Sequence, residues 1–482
     1  VKKWIFKFNF FVKNSKNPLV CRHHELTLLK NLIEMFPAFV FPIELREDSS
    51  IIKQALVDSR LSIRKMLMTL NSLAGAMEIQ HYARGLVISH CEEASHIDDA
   101  CRLLELSCKK KNLPIIPLFE SKEALLESKN ILKKWLSNQQ NDERVRRYWE
   151  GKFEVMLGYS DSSKQIGVFP SRLLISKAMK NIEKVIKGAS LTPVFFHGSG
   201  GSIARGGGNL KEQVSWWSSS AIANPKMTIQ GEMIQRLFAA KEILNSQSIH
   251  LATEALKRRV GKTKISFVTE FDAFAQSIEK EYRALVEDKD LMEQLLKGTP
   301  YEYLDLLKMG SRPSKRKKGD AFTLSSLRAI PWVLCWTQTR LLWPTWWGVG
   351  TAWENLSSEQ KEQLKKSFQQ EDPFFCSFVK NLGFTLSKVD LDVWSRYLRP
   401  KKDDLLVEKF QKEYEKTLTF FHQVTGEKQL LWFRPWLQES IKLRSPHIHL
   451  LNLIQIMAIK QNNTALLRES IVGIASGMLT TG

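Results

Sequence analysis

A chain of 482 residues with 43% hydrophobic and 25% charged residues has the composition of a folded globular protein, which excludes a disordered or fibrous one. Its formal net charge of +20 admits nucleic acid, an acidic surface or a polyanionic small substrate as partners. Its six cysteines, Cys21, Cys91, Cys101, Cys108, Cys335 and Cys376, form no C-x-x-C pair and follow no secretory leader, so they read as reduced thiols of a cytoplasmic protein.

Residues 1–36 read as an N-terminal helical segment. In it His23, His24 and Glu25 are neighbours in sequence, and neighbours on a helix point to different faces, so a surface position is expected rather than a metal site. Over 37–210 five apolar runs follow, "AFVFPIEL", "RGLVISH", "LPIIPLFE", "FEVMLGYSD" and "LTPVFFHG", with helical patterns such as "SKEALLESKNILKKWL" between them. Strand and helix in alternation predict parallel strands joined by crossover helices. The runs finish in Arg46, His90, Glu120, Asp161 and His197, and a parallel barrel brings its carboxyl strand ends to one face. A closed barrel of this kind has eight strands, so about five predict an incomplete (β/α) barrel whose edges another chain completes.

From 211 to 482 the pattern is helical, which makes the whole mainly α with an α/β part packed in a large helical body. The stretch "AIPWVLCWTQTRLLWPTWWGVGTAW" is interrupted by Gln338, Arg340 and prolines, and reads as tryptophan-rich core rather than a membrane span. Lys315, Arg316, Lys317 and Lys318 form the densest basic cluster. No aromatic-interleaved motif accompanies it, so a basic loop near a phosphate is expected rather than nucleic-acid binding.

Three groupings carry chemistry. Glu120 and Asp161 close successive strands, and two carboxylates without a His/Cys set suit a hard cation such as Mg²⁺ or Mn²⁺; the alternative is that each caps the helix after it. "FHGSGGSIARGGG" (196–208) holds six glycines, which let backbone N–H groups approach an anion while Arg205 completes the site; the alternative is a flexible surface loop. Lys164, three residues beyond Asp161, can join the same pocket, although a lone lysine is more often solvent-facing.

"MLGYSDSSK", "FHGSGGSIARGGG", "QGEMI", "GSRPSKR", "LRAIPWVLCWTQTRLLWPTWWGVGTA" and the closing "GIASGMLTTG" resemble, in order and spacing, the motifs of the phosphoenolpyruvate carboxylase family. The resemblance implies carboxylation of phosphoenolpyruvate by bicarbonate to oxaloacetate and phosphate, with Mg²⁺ or Mn²⁺ and no organic cofactor. It implies that bicarbonate attacks phosphorus first, and that the resulting enolate captures the carbon dioxide released from carboxyphosphate. It further implies Glu120 and Asp161 as metal ligands, Lys164 as the active-site lysine, and Arg46, Arg312 and Arg328 facing phosphate or carboxylate. Arg205 would clamp carboxyphosphate and His197 would lie beside bicarbonate. Lys388 and Arg444 match an aspartate-binding inhibitory site, and a homo-oligomer, the family's tetramer, is implied.

The chain departs from that pattern at three places. Ser199 stands where the family's glycine loop has an arginine, and Thr480 where its last motif has an asparagine. The N-terminal half that supplies the first barrel strands and a catalytic histidine in Thr-Ala-His-Pro-Thr has no counterpart in these residues. Two expectations follow: a carboxylase completed by a separate N-terminal half, or a catalytically silent relative that binds an anion or serves as an interaction module.

Overall fold

The apolar runs fold as β1 (Ile43–Asp48), β2 (Ala83–Ser89), β3 (Ile115–Phe119), β4 (Lys152–Gly158) and β5 (Thr192–Gly198) in a computed structural model of the chain. The structure describes residues 24–36, 41–75, 78–108, 112–205, 207–229, 238–260, 267–306 and 329–479, with the single positions 7 and 234. All of β3 and all but one residue of β2 are buried. A parallel strand covered on both faces has no polar side, which is why these strands read as continuous apolar runs. β1 pairs parallel with β2 from Ile43↔Ala83 to Asp48↔Ser89, with a register shift after Ile43, and β2 pairs parallel with β3.

A sixth strand, β6 (Lys226–Met227), pairs parallel with β5 through Phe196↔Lys226 and His197↔Met227. Two residues leave no periodic signature, so five strands are legible and the sixth is not. The sheet order is β1-β2-β3-β4-β5-β6. Each strand lies beside its successor in the chain, the order of an unclosed (β/α) barrel. The fold class is therefore the expected one, mainly helical with an incomplete parallel barrel.

The chain divides into two compact units. The first comprises Val1–Phe119, Leu126–Met156 and Asn181–Phe195, and the second Glu120–Leu125, Leu157–Lys180 and Phe196–Gly482. In the first unit Trp135 stacks on Trp149 at 5.9 Å with Phe153 edge-on at 5.4 Å. The Trp135 indole donates to Asp98 Oδ1 at 2.8 Å, so its polar end is satisfied in the core. The first described helix, His24–Met35, leaves His24 and Glu25 exposed, while His23 and Cys21 lie outside the described residues.

In the second unit Phe169 is the hub of an aromatic cluster, with Phe271, Phe274, Phe374, Phe375 and Phe378 at 4.7–6.3 Å. The tryptophan-rich stretch folds as the helix Ala329–Gln338, a short turn and the helix Val349–Glu354. Trp332, Trp336 and Trp343 meet nearly edge-to-face at 5.2–5.6 Å. No helix among the described residues is long and apolar enough to cross a membrane. Cys91, Cys101, Cys108 and Cys335 are buried and Cys376 partly so, and all five are free thiols. Burial pushes the thiols of Cys91, Cys101 and Cys376 up to about 12, which leaves them protonated and poorly nucleophilic at neutral pH.

Candidate active site

Glu120 follows β3 directly and is buried, and Asp161 lies in the first turn of the helix Ser160–Ile166, just after β4. Both belong to the second unit. Their segments are tied together, because the Lys122 backbone N–H donates to Gln165 Oε1 at 3.0 Å. Lys122 also pairs with Glu279 on the helix Thr269–Val286. Asp161 lies within its helix and not at the position before it. Ser121 Oγ accepts from Ala124 N at 3.1 Å at the start of Lys122–Leu136, and the residue before Ser160–Ile166 is Tyr159, which makes no side-chain cap.

Lys164 is 5% exposed, with Nζ 3.4 Å from Asp161 Oδ1. The surface position favoured for a lone lysine is thus replaced by a buried one. An ammonium withdrawn from water has to be compensated by nearby negative charge, and Asp161 supplies part of it. The helix is braced behind by Ser171 Oγ, 2.7 Å from Ser162 Oγ and 3.1 Å from Ser163 Oγ. Among the described residues no set of three or more His, Cys, Asp or Glu is grouped for a metal ion. Two oxygen donors without soft ligands still suit Mg²⁺ or Mn²⁺, which fill their remaining positions with water and substrate phosphate.

His197 is fully buried near the end of β5. Its ring stacks on Trp217 with centroids 3.6 Å apart and planes 3° apart. Its Nδ1 lies 2.7 Å from the Tyr159 hydroxyl, while Nε2 is enclosed without a partner. Burial lowers the imidazole from 6.5 to about 3, so the ring is neutral at physiological pH. The unfolded chain takes up a proton near 6.5 and the folded one does not until about 3, so this group's share of stability is full above 6.5 and lost as pH falls toward 3. In urea titrations His197→Gln is expected to flatten the stability profile over that window; an unchanged acid limb would count against a neutral buried His197.

The glycine-rich loop folds down on itself. Gly207 N donates to Ser202 O at 2.7 Å, and Ser199 and Ser202 are buried. A methyl group on Gly207 would meet the Gly200 carbonyl oxygen, the Gly201 carbonyl carbon at 2.7 Å and the Ser202 oxygen at 2.7 Å, all backbone atoms. Gly208 takes φ +132°, with Asn381 Oδ1 3.0 Å from where a Cβ would stand. Arg172, 4% exposed, donates through Nη2 to Ile203 O at 3.1 Å and Gly207 O at 3.4 Å, holding both ends of the turn that carries Arg205.

A cavity of about 400 Å³ is lined by Ser202, Asn209, Lys380, Lys388, Arg434 and Arg444 among others. Lys388 is buried, with Nζ 3.9 Å from the centroid of the Phe384 ring. Arg434 pairs with Glu212 at 2.7 Å, and Arg444 donates to Gly477 O at 3.4 Å.

The structure thus brings Glu120, Asp161, Lys164, His197 and the loop backbone into one unit, and Lys388 and Arg444 onto one cavity. Arg46 belongs to the first unit, where β1 continues past it to Asp48, and it is exposed. At the end of β2, His90 Nδ1 lies 2.8 Å from Asp48 Oδ2. The side chain of Arg205 and all of Arg312, Lys315–Lys318, Arg328 and Thr480 lie outside the described residues. Sequence reasoning missed Tyr159, Arg172 and Trp217. Only Arg172, a charge inside the apolar "FPSRLLIS", carried a signal that could have found it.

Residues 41–482 match the family model described as Phosphoenolpyruvate carboxylase. The chain is similar to proteins named phosphoenolpyruvate carboxylase from Tolumonas auensis (33% identical over 399 residues, 79% of this chain and 45% of the relative) and Prochlorococcus marinus strain MIT 9312 (32% over 431 residues, 84% and 43%). A third, from Synechocystis sp., is 32% identical over 366 residues, 68% of this chain and 35% of the relative. The chain therefore spans less than half the length of these relatives. A match over so much of the chain places it in the phosphoenolpyruvate carboxylase family.

Proposed function

We propose that this chain is the carboxyl-terminal, catalytic portion of a phosphoenolpyruvate carboxylase, which converts phosphoenolpyruvate and bicarbonate to oxaloacetate and phosphate once an N-terminal half supplies the first barrel strands and the catalytic histidine. What carries the reading is the buried Lys164 beside Asp161, on a helix hydrogen-bonded to the segment of the buried Glu120. Glu120 and Asp161 would hold Mg²⁺ or Mn²⁺, and the bound ion supplies Lewis acidity toward phosphoryl and enol oxygens. Lys164 offsets negative charge gathering in the same pocket, where a dry setting strengthens the effect. Arg46, Arg312 and Arg328 bind the phosphate and carboxylate of the substrate, and Arg205, on its braced turn, clamps the transferred phosphoryl group.

Ser199 removes one guanidinium from that clamp. A lost charge-assisted hydrogen bond costs about 1.5–3 kcal/mol, which raises the substrate requirement by about one to two powers of ten. Lys388 and Arg444, on the cavity they share with Lys380 and Arg434, would take the two carboxylates of aspartate as an inhibitor, with Thr480 in place of an amide donor.

The test follows oxaloacetate through a coupled malate dehydrogenase reaction, with the chain alone and mixed with a candidate N-terminal half. Turnover in the mixture only is the expected result. Turnover by the chain alone would show that the N-terminal half is dispensable. No turnover in either, with phosphoenolpyruvate still bound, would favour the silent anion-binding relative.

A further inference from the structure

The pairing of Tyr159 with His197 decides which imidazole nitrogen carries the proton. The neutral ring has one N–H, on Nδ1 or on Nε2. Suppose it is on Nδ1: it then donates to the phenolic oxygen, and the phenol's own hydrogen needs another acceptor. Among the described residues, the charged and polar groups facing that oxygen besides His197 are the Trp217 indole, which hydrogen-bonds to it, and the Arg172 guanidinium. Both can only donate, so the phenolic hydrogen would be buried without a partner, and the Nε2 lone pair would be a second orphan. With the hydrogen on Nε2, the phenol donates to Nδ1 at 2.7 Å, the indole N–H is accepted by the phenolic oxygen, and one orphan is left, the Nε2–H. Buried polar groups without partners are costly, so the arrangement with one is preferred over the arrangement with two.

We infer that Tyr159 is a positioning residue that locks His197 as the neutral Nε2–H tautomer, making it a fixed hydrogen-bond donor to an oxygen of a bound oxyanion and not a proton acceptor. Trp217 contributes twice, holding the ring plane by face-to-face stacking and occupying the acceptor side of the phenol. Burial holds the imidazole neutral down to about 3, in keeping with a donor that does not change charge during turnover. The identity of the oxyanion as bicarbonate, or the carboxyl group derived from it, rests on the function proposed above. The tautomer does not.

The two parts separate in the experiment. The full chain is labelled with ¹⁵N-histidine, His197 is assigned by the signal missing from His197→Gln, and long-range ¹H–¹⁵N spectra are recorded between pH 5 and 9. An Nε2-protonated ring that does not titrate across this range is expected. An Nδ1-protonated ring, or one that titrates near neutrality, overturns the inference. Tyr159→Phe, checked for an unchanged melting curve, is expected to give a mixture of tautomers; an unaltered spectrum removes Tyr159 from the role. In the mixture with the N-terminal half, Tyr159→Phe is expected to lower kcat by about tenfold or more, with KM for phosphoenolpyruvate little changed. A confirmed tautomer without carboxylase turnover would leave the lock standing and remove the proposed function.

Discussion

If Glu120 and Asp161 hold the metal as proposed, Glu120→Gln and Asp161→Asn are each expected to reduce turnover in the mixture with an N-terminal half by about a thousandfold, the scale of losing several kcal/mol of metal-ion stabilisation. The physical reason is the poverty of the donor set. Among the described residues no set of three or more ligating side chains is found, so an amide in place of either would halve the charge the protein offers the proposed ion. Mn²⁺ affinity, read by electron paramagnetic resonance on the chain itself, should fall in parallel. The two segments are joined through Lys122 N and Gln165 Oε1, and Glu120→Gln keeps the side chain's shape, so its melting temperature should hardly move, whereas Asp161→Asn withdraws negative charge from the buried Lys164 and should lower it. A variant that binds Mn²⁺ as tightly as the parent would remove that residue from the metal site.

Phe169→Ala is expected to cost about 3–5 kcal/mol of stability, the usual range for deleting a buried aromatic ring, measured by urea denaturation. Phe169 is 1% exposed and lies 4.7 Å from Phe378 and 5.2 Å from Phe274, with three more phenylalanine rings around it. Its place in the chain couples this loss to the site. Only Gly167 and Val168 separate it from the helix Ser160–Ile166 that carries Asp161 and Lys164. Gly167 turns at φ +87° against the Tyr282 ring. Removal of the ring loosens the anchor of that helix, so metal affinity should decline along with stability. A loss under about 1 kcal/mol would mean that the surrounding rings close over the gap, contrary to the packing of a dense interior.

The part of this molecule that was legible in its residues is the part governed by short-range pattern. β2 and β3 announce themselves because both faces are covered and polar residues vanish from the run. Glu120 and Asp161 stand out as candidates because strand ends in a parallel barrel share a face. Which residue caps the helix after β3 is not legible at that level: Ser121 Oγ receives a hydrogen bond that Glu120 could have taken. Lys164 reads as a surface residue until the fold encloses it. The environment of His197 depends on Tyr159, 38 positions earlier, and on Trp217, 20 positions later, and no local spacing rule relates residues so far apart. Arg172 acts on carbonyl groups 31 and 35 positions away; its strangeness within an apolar helix is visible in the sequence, its purpose is not.

The crowding around Gly207 fixes more than the shape of one turn. What stands closest to its missing side chain is peptide backbone from Gly200 to Ser202, which has no rotamer to change and can yield only by unfolding the turn. Position 207 is therefore a place where the genetic alphabet contracts to one letter. Any lineage that keeps the turn must keep that codon's meaning, however far the rest of the chain drifts.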